Sequence, residues 1–117
     1  MLAFIVLLTS CTSILQSSPA MVTDPSGKGA NWTIIAKNYS GTLSDTIILY
    51  INGTEIARGT VNPVHHAAHL TGSYEQHAIL GDCDVENPPE SSWARWGSYQ
   101  CIIYVDGSDI TTLKLQD

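Results

Sequence analysis

The stretch Thr46–Val61, "TIILYINGTEIARGTV", decides the fold class of this chain. Asn52 and Gly53 stand between two runs rich in β-branched and apolar residues. This dipeptide favours the type I′ turn that joins the two strands of a hairpin. A two-residue turn at this place sets the register of the hairpin, and the sequence therefore predicts that Tyr50 lies directly opposite Glu55.

The stretch Cys101–Leu115, "CIIYVDGSDITTLKL", has the same arrangement around Asp106-Gly107. It predicts a second hairpin, in which Tyr104 lies opposite Asp109. The two hairpins share residues at matching positions, namely Ile48, Tyr50, Gly53 and Ile56 in the first and Ile102, Tyr104, Gly107 and Ile110 in the second. An internal duplication and the common requirements of hairpins both explain this likeness.

A third hairpin is predicted in Ala68–Cys83, "AHLTGSYEQHAILGDC", with its turn at Glu75-Gln76. The stretch Asn31–Lys37, "NWTIIAK", adds a strand near the start of the domain. Apolar residues hold a helical period over no useful length. Short strands at regular spacing indicate an all-β fold, a small antiparallel β-sandwich or barrel of about seven strands.

Length and composition limit the classes of protein to which the chain belongs. Its 117 residues suit one small domain, and 44% hydrophobic against 14% charged residues is typical of a globular chain. The formal net charge is −6 at pH 7. An acidic surface repels phosphate backbones, so nucleic acid is not an expected partner.

The apolar run Met1–Leu8 is too short to span a bilayer, which needs roughly 20 apolar residues. It has the length of the hydrophobic region of a secretory signal peptide. The tetrad Leu8-Thr9-Ser10-Cys11 at its end resembles the bacterial lipobox. The resemblance implies that Cys11 receives a lipid and becomes the mature N-terminus. Thr12, where inner-membrane retention signals carry Asp, favours the outer membrane, facing the periplasm. An ordinary signal peptide is the alternative.

The chain is thus divided into three parts. Residues 1–10 are predicted to be the lipoprotein signal peptide, and residues 11–30 the lipidated cysteine and a flexible tether rich in Ser, Pro, Gly and Thr. Residues 31–117 are predicted to form the single β domain.

Cysteine usage agrees with export. If Cys11 is lipidated, Cys83 and Cys101 remain as a pair, and the periplasm permits a disulfide between them. Two buried thiols are the alternative.

Histidines near the third hairpin are candidate metal ligands. If Glu75-Gln76 is the turn, His69 pairs across the strands with Asp82, and His65 shares their outward face. These three side chains would form a weak, solvent-exposed metal site at best. Surface histidines without metal are the expected reading, and no cofactor is predicted.

The stretch Glu86–Cys101, "ENPPESSWARWGSYQC", concentrates the residue types found at binding hot spots. Trp93, Arg95, Trp96 and Tyr99 are therefore the candidate partner-binding residues. The alternative is that both tryptophans fold back and close one end of the β domain.

No Gly-x-Ser-x-Gly, His-Glu-x-x-His or phosphate-binding glycine loop occurs, so an enzyme is not expected. The sequence favours an envelope-anchored lipoprotein that binds a protein or glycan partner, of the inhibitor, immunity or assembly accessory type. Its partners would be the membrane, through the lipid on Cys11, and that envelope molecule. A purely structural envelope lipoprotein and, less favoured, a periplasmic metal-binding protein using His65 and His69 are the alternatives.

Overall fold

The protein is described by a computed structural model, in which all the described residues belong to strands, turns or short connections. The described residues are 13–25, 27, 29, 31–41, 44–61, 66–85 and 98–116. Within them no helix has the length and apolar character needed to cross a bilayer. The described strands are, in chain order, β1 (Ser13–Ser17), β2 (Ala20–Val22), β3 (Trp32–Ser40), β4 (Asp45–Ile51), β5 (Thr54–Thr60), β6 (Ala67–Tyr74), β7 (His77–Val85), β8 (Tyr99–Val105) and β9 (Ser108–Gln116).

The strands form one antiparallel sheet that is nearly closed into a barrel. The hydrogen-bonded order is β5-β4-β3-β1-β9-β8-β7-β6, and β2 pairs with β3 beyond β1. The predicted all-β antiparallel class is confirmed, with nine described strands in place of about seven. All three predicted hairpins form, and their turns have the positive φ angles of type I′ turns at Asn52-Gly53, Glu75-Gln76 and Asp106-Gly107.

The two end strands of the sheet, β5 and β6, approach each other closely without pairing, and glycines make this approach feasible. A Cβ atom at Gly59 would lie 2.8 Å from the carbonyl oxygen of His69. A Cβ atom at Gly72 would meet the carbonyl oxygen of Ile56 even more closely. Because real side chains do not tolerate such contacts, these two glycines allow the seam of the barrel to close by packing.

The prediction of a flexible tether over residues 11–30 is wrong for residues 13–17 and 20–22, because these residues form β1 and β2. Strand β1 pairs with β3 on one side and with β9 on the other, so it joins the two halves of the sheet. Its backbone thereby satisfies donors and acceptors on two strands that would otherwise be sheet edges. The sheet of the β domain consequently includes strands that lie before Asn31.

A bulge separates β1 from β2. Gln16 pairs with Lys37 and Ala20 pairs with Ile34, so three intervening residues face two on β3. Pro19 lies in this interruption and has no N–H to donate. The hydroxyl of Ser17, which is buried, accepts a hydrogen bond of 3.0 Å from the N–H of Ala36 and so replaces the missing backbone partner.

The interior of the barrel is filled by side chains from alternate positions of the strands. The most fully buried large residues include Trp32, Ile34, Ile47, Leu49, Ile51, Leu70, Tyr99, Ile103 and Leu115. Leu70, Ile79 and Cys83 point inward as the hairpin register predicts. The remaining side chains of the same strands form the outer wall of the barrel.

Candidate functional site

Most of the predicted partner-binding loop lies outside the described residues. Trp93, Arg95 and Trp96 of this loop are outside the described residues, and so are Cys11 and the candidate metal ligand His65 elsewhere in the chain. The predictions for these five residues stay predictions. The other candidate residues are described and have definite places in the barrel.

The predicted disulfide between Cys83 and Cys101 is present in the structure. The two residues are direct cross-strand partners on β7 and β8, and both side chains are fully buried. The bridge closes a sequence separation of 18 residues, which includes the loop that carries the tryptophans. It therefore joins β7 to β8, the strands that precede and follow residues 86–97 in the chain.

Tyr99 is only 1% exposed, which corrects its assignment to the partner-binding loop. It is the first residue of β8 and lies two positions before Cys101, so both side chains point into the barrel. Its hydroxyl donates a hydrogen bond of 2.6 Å to the buried carboxylate of Asp45. The amide of Asn38 donates to the same oxygen at 3.3 Å. The alternation of side chains along a strand, with Cys101 in the core, is the signal that could have indicated the burial of Tyr99.

His69 and Asp82 form the cross-strand pair that the third hairpin predicts. The imidazole Nδ1 lies 2.8 Å from the carboxylate, and the side chains are 74% and 41% exposed. Within the described part of the chain, no group of three or more His, Cys, Asp and Glu side chains is arranged to hold a metal ion. These two residues thus lie together on the outer wall as an exposed pair.

A cluster of polar and aromatic side chains closes the end of the barrel where the three hairpin turns meet. The buried indole of Trp32 meets the ring of Tyr74 edge-on, with centroids 5.0 Å apart, and lies 5.7 Å from the ring of His77. The His77 Nδ1 is 2.6 Å from the carboxylate of Asp106. This hydrogen bond, supported by one from the N–H of Ala78, holds the pKa of Asp106 below its usual range.

The first and second hairpins dock on their neighbouring strands in the same way. The N–H of Asn52 donates to the carbonyl of Thr33, whose own N–H donates to the Asn52 side chain. Asp106 makes the same two contacts with Ala78. Each hairpin also has a register shift just before its tyrosine. We define the first meander as β3-β4-β5 and the second meander as β7-β8-β9. They are equivalent in register, which favours the duplication hypothesis.

Each meander carries a groove on the outer wall of the barrel. Groove one, of about 190 Å³, includes Thr33, Ile35, Lys37, Tyr50 and Gly53. Groove two, of about 530 Å³, is larger. It includes Thr71, Ala78, Leu80, Tyr104 and Gly107.

The register makes the two grooves equivalent. Tyr50 lies opposite Ile35 and Glu55, and Tyr104 lies opposite Leu80 and Asp109. Both predicted tyrosine–carboxylate pairs are thus confirmed.

The tyrosine of groove one is engaged by its neighbours. The ammonium of Lys37 lies 5.2 Å from the centroid of the Tyr50 ring, within the range of a cation–π contact. The hydroxyl groups of Tyr39 and Tyr50 are 3.2 Å apart. This hydrogen bond, together with burial, raises the pKa of Tyr50 to about 12. Groove one is therefore a surface whose aromatic ring already has a cation as its neighbour.

The outer-wall grooves and the clustered end bring aromatic, aliphatic and carboxylate groups together on the outside of the barrel. Sequence reasoning identified the tyrosines and their acidic partners but not the grooves, because these depend on pairing between β3 and β4 and between β7 and β8. No protein-family model, curated protein or solved structure matches this chain.

Proposed function

We propose that this protein is a lipid-anchored lipoprotein of the bacterial envelope and acts as a binding module, whose small β-barrel engages a protein or glycan partner without catalysis. The observation that carries the proposal is the lipobox-like tetrad Leu8–Cys11, which is followed after Thr12 by the first strand of the barrel. With Cys11 as the lipidated N-terminus, the barrel would be held directly at the outer membrane, facing the periplasm.

The packing of the barrel supports a binding role at its surface. Large apolar side chains and the buried disulfide fill the interior. Recognition would therefore use the outer wall and the loops. The bridge between Cys83 and Cys101 joins the two strands that flank the segment with Trp93, Arg95 and Trp96, which would limit the entropy lost when this segment binds.

The binding role predicts how Trp93→Ala and Trp96→Ala behave. Each variant is expected to weaken the free energy of partner binding by about 2 kcal/mol or more, the effect typical of a hot-spot residue. Its urea unfolding midpoint should stay close to that of the wild type. Cross-linking in intact envelopes, followed by mass spectrometry, identifies the partner and measures how much of it is cross-linked to each variant. A urea titration measures stability. Trp32→Ala, the same substitution at a buried site, is the matched control for a lowered midpoint.

Two outcomes would contradict a binding role for this loop. A loss of roughly 3–5 kcal/mol of stability in Trp93→Ala or Trp96→Ala would mean that the tryptophans cap the barrel. Unchanged cross-links in both variants would likewise exclude the loop from recognition. Either result would favour a purely structural envelope lipoprotein.

A further inference from the structure

We propose that groove two is a binding site for a lysine side chain of a partner protein, with Tyr104 as its aromatic floor. This proposal deepens the proposed binding function by naming the chemistry of the partner. It concerns the outer wall rather than the loop with Trp93 and Trp96.

The equivalence of the two meanders carries the proposal. In groove one, Lys37 lies two positions beyond Ile35 on β3, diagonal to Tyr50, and places its ammonium 5.2 Å from the ring centroid. In groove two, the residue two positions beyond Leu80 on β7 is Asp82. The position that supplies a cation in the first meander therefore supplies a carboxylate in the second.

The charges around groove two complement a cation. Asp109 lies directly opposite Tyr104 on β9, and Asp82 lies diagonal to Tyr104 on β7. Both carboxylates belong to the outer wall, where Asp109 is exposed and Asp82 is 41% exposed while also contacting the Nδ1 of His69 at 2.8 Å. An ammonium over the Tyr104 ring would meet the negative face of the ring and lie near two carboxylates. The whole chain, with a net charge of −6, adds long-range attraction for a basic partner.

The shape of groove two suits the aliphatic part of a lysine side chain. Leu80 is 40% exposed, one of the few large apolar side chains on the described surface. Together with Ala78 and Gly107 it forms an apolar path beside the tyrosine ring. The four methylene groups of a lysine could lie along this path while its ammonium reaches Tyr104. The volume of about 530 Å³, against about 190 Å³ in groove one, leaves room for a side chain from outside.

The test uses the full chain in detergent micelles and follows the Tyr104 ring and Leu80 methyl signals by NMR. The probe is Nα-acetyl-lysine methylamide, and the control probe is the norleucine analogue, which lacks the ammonium. We expect the lysine probe to shift both signals saturably and to bind about five-fold more tightly than the control, the value of a cation–π contact of about 1 kcal/mol.

Substitutions of Tyr104 test whether its ring accounts for binding of the lysine probe. Tyr104→Leu is expected to weaken binding of the lysine probe about five-fold, whereas Tyr104→Phe, which keeps the ring face, should stay within about two-fold of wild type. Tyr50→Leu is the matched control in groove one and should leave the affinity unchanged. Unfolding midpoints of all variants verify that the barrel is intact.

Equal binding of both probes, no saturable shift, or full affinity in Tyr104→Leu would each overturn the proposal. The experiment does not require lipid on Cys11. A Cys11→Ser protein should bind the lysine probe as wild type does, so failure of the lipid anchor and failure of the groove are separate results.

Discussion

Replacing Cys83 and Cys101 together with alanine is expected to lower the free energy of unfolding by about 3 kcal/mol, within the range of 2–5 kcal/mol for small exported domains. The bridge closes 18 residues, and its loss returns the corresponding loop entropy to the unfolded chain. The loss should be large relative to the total, because a domain of this size is only marginally stable.

Urea titrations of the wild type and the double variant measure this difference. The wild type with reductant is the matched control and should lose a similar amount of stability, whereas the double variant should not respond to reductant. A wild-type midpoint that is the same with and without reductant would show that the bridge contributes nothing to stability.

Trp32→Ala is expected to cost about 3–5 kcal/mol, the usual effect of removing a buried aromatic side chain. The indole is 1% exposed and meets Tyr74 and His77 at the clustered end of the barrel. Its removal leaves a cavity, and the rings of Tyr74 and His77 lose the indole against which they pack.

The matched control is Met21→Ala on the neighbouring strand β2, where the side chain is 68% exposed. A surface substitution of this kind should change stability by no more than about 0.5 kcal/mol. The two variants are compared by thermal and urea unfolding. A loss below about 1 kcal/mol for Trp32→Ala would contradict the packing described for this end of the barrel.

Local sequence chemistry predicted the hairpins correctly because two-residue turns set the register of their strands. Once Glu75-Gln76 forms the turn, His69 must face Asp82, and Cys83 must point inward. The same argument places Tyr104 opposite Asp109. The disulfide followed from counting cysteines and is confirmed.

Features that depend on distant parts of the chain were not predicted. Strands β1 and β2 are short, contain Ser and Met, and flank Pro19, so their local pattern resembles a linker. They form because β3 and β9 offer them backbone partners. Closure of the barrel likewise depends on Gly59 and Gly72, whose role is visible only when β5 and β6 are side by side.

The candidate site was likewise predicted only in part. The sequence indicated that Tyr50 and Tyr104 occupy equivalent positions in their hairpins, but the position of Lys37 over Tyr50 depends on the register between β3 and β4. The sequence contains no two-residue turn signal between these strands, so no local pattern indicated this register. The equivalence of groove one and groove two is therefore a result of the fold.

Whether Cys11 anchors this barrel to a membrane is decided by the intact mass of the protein extracted from bacterial membranes. We expect a mature chain that begins at Cys11 and carries the added mass of a diacylglyceryl group, and we expect Cys11→Ser to remain an unmodified precursor. A mature chain with an unmodified Cys11, or normal processing of Cys11→Ser, would contradict the lipid anchor.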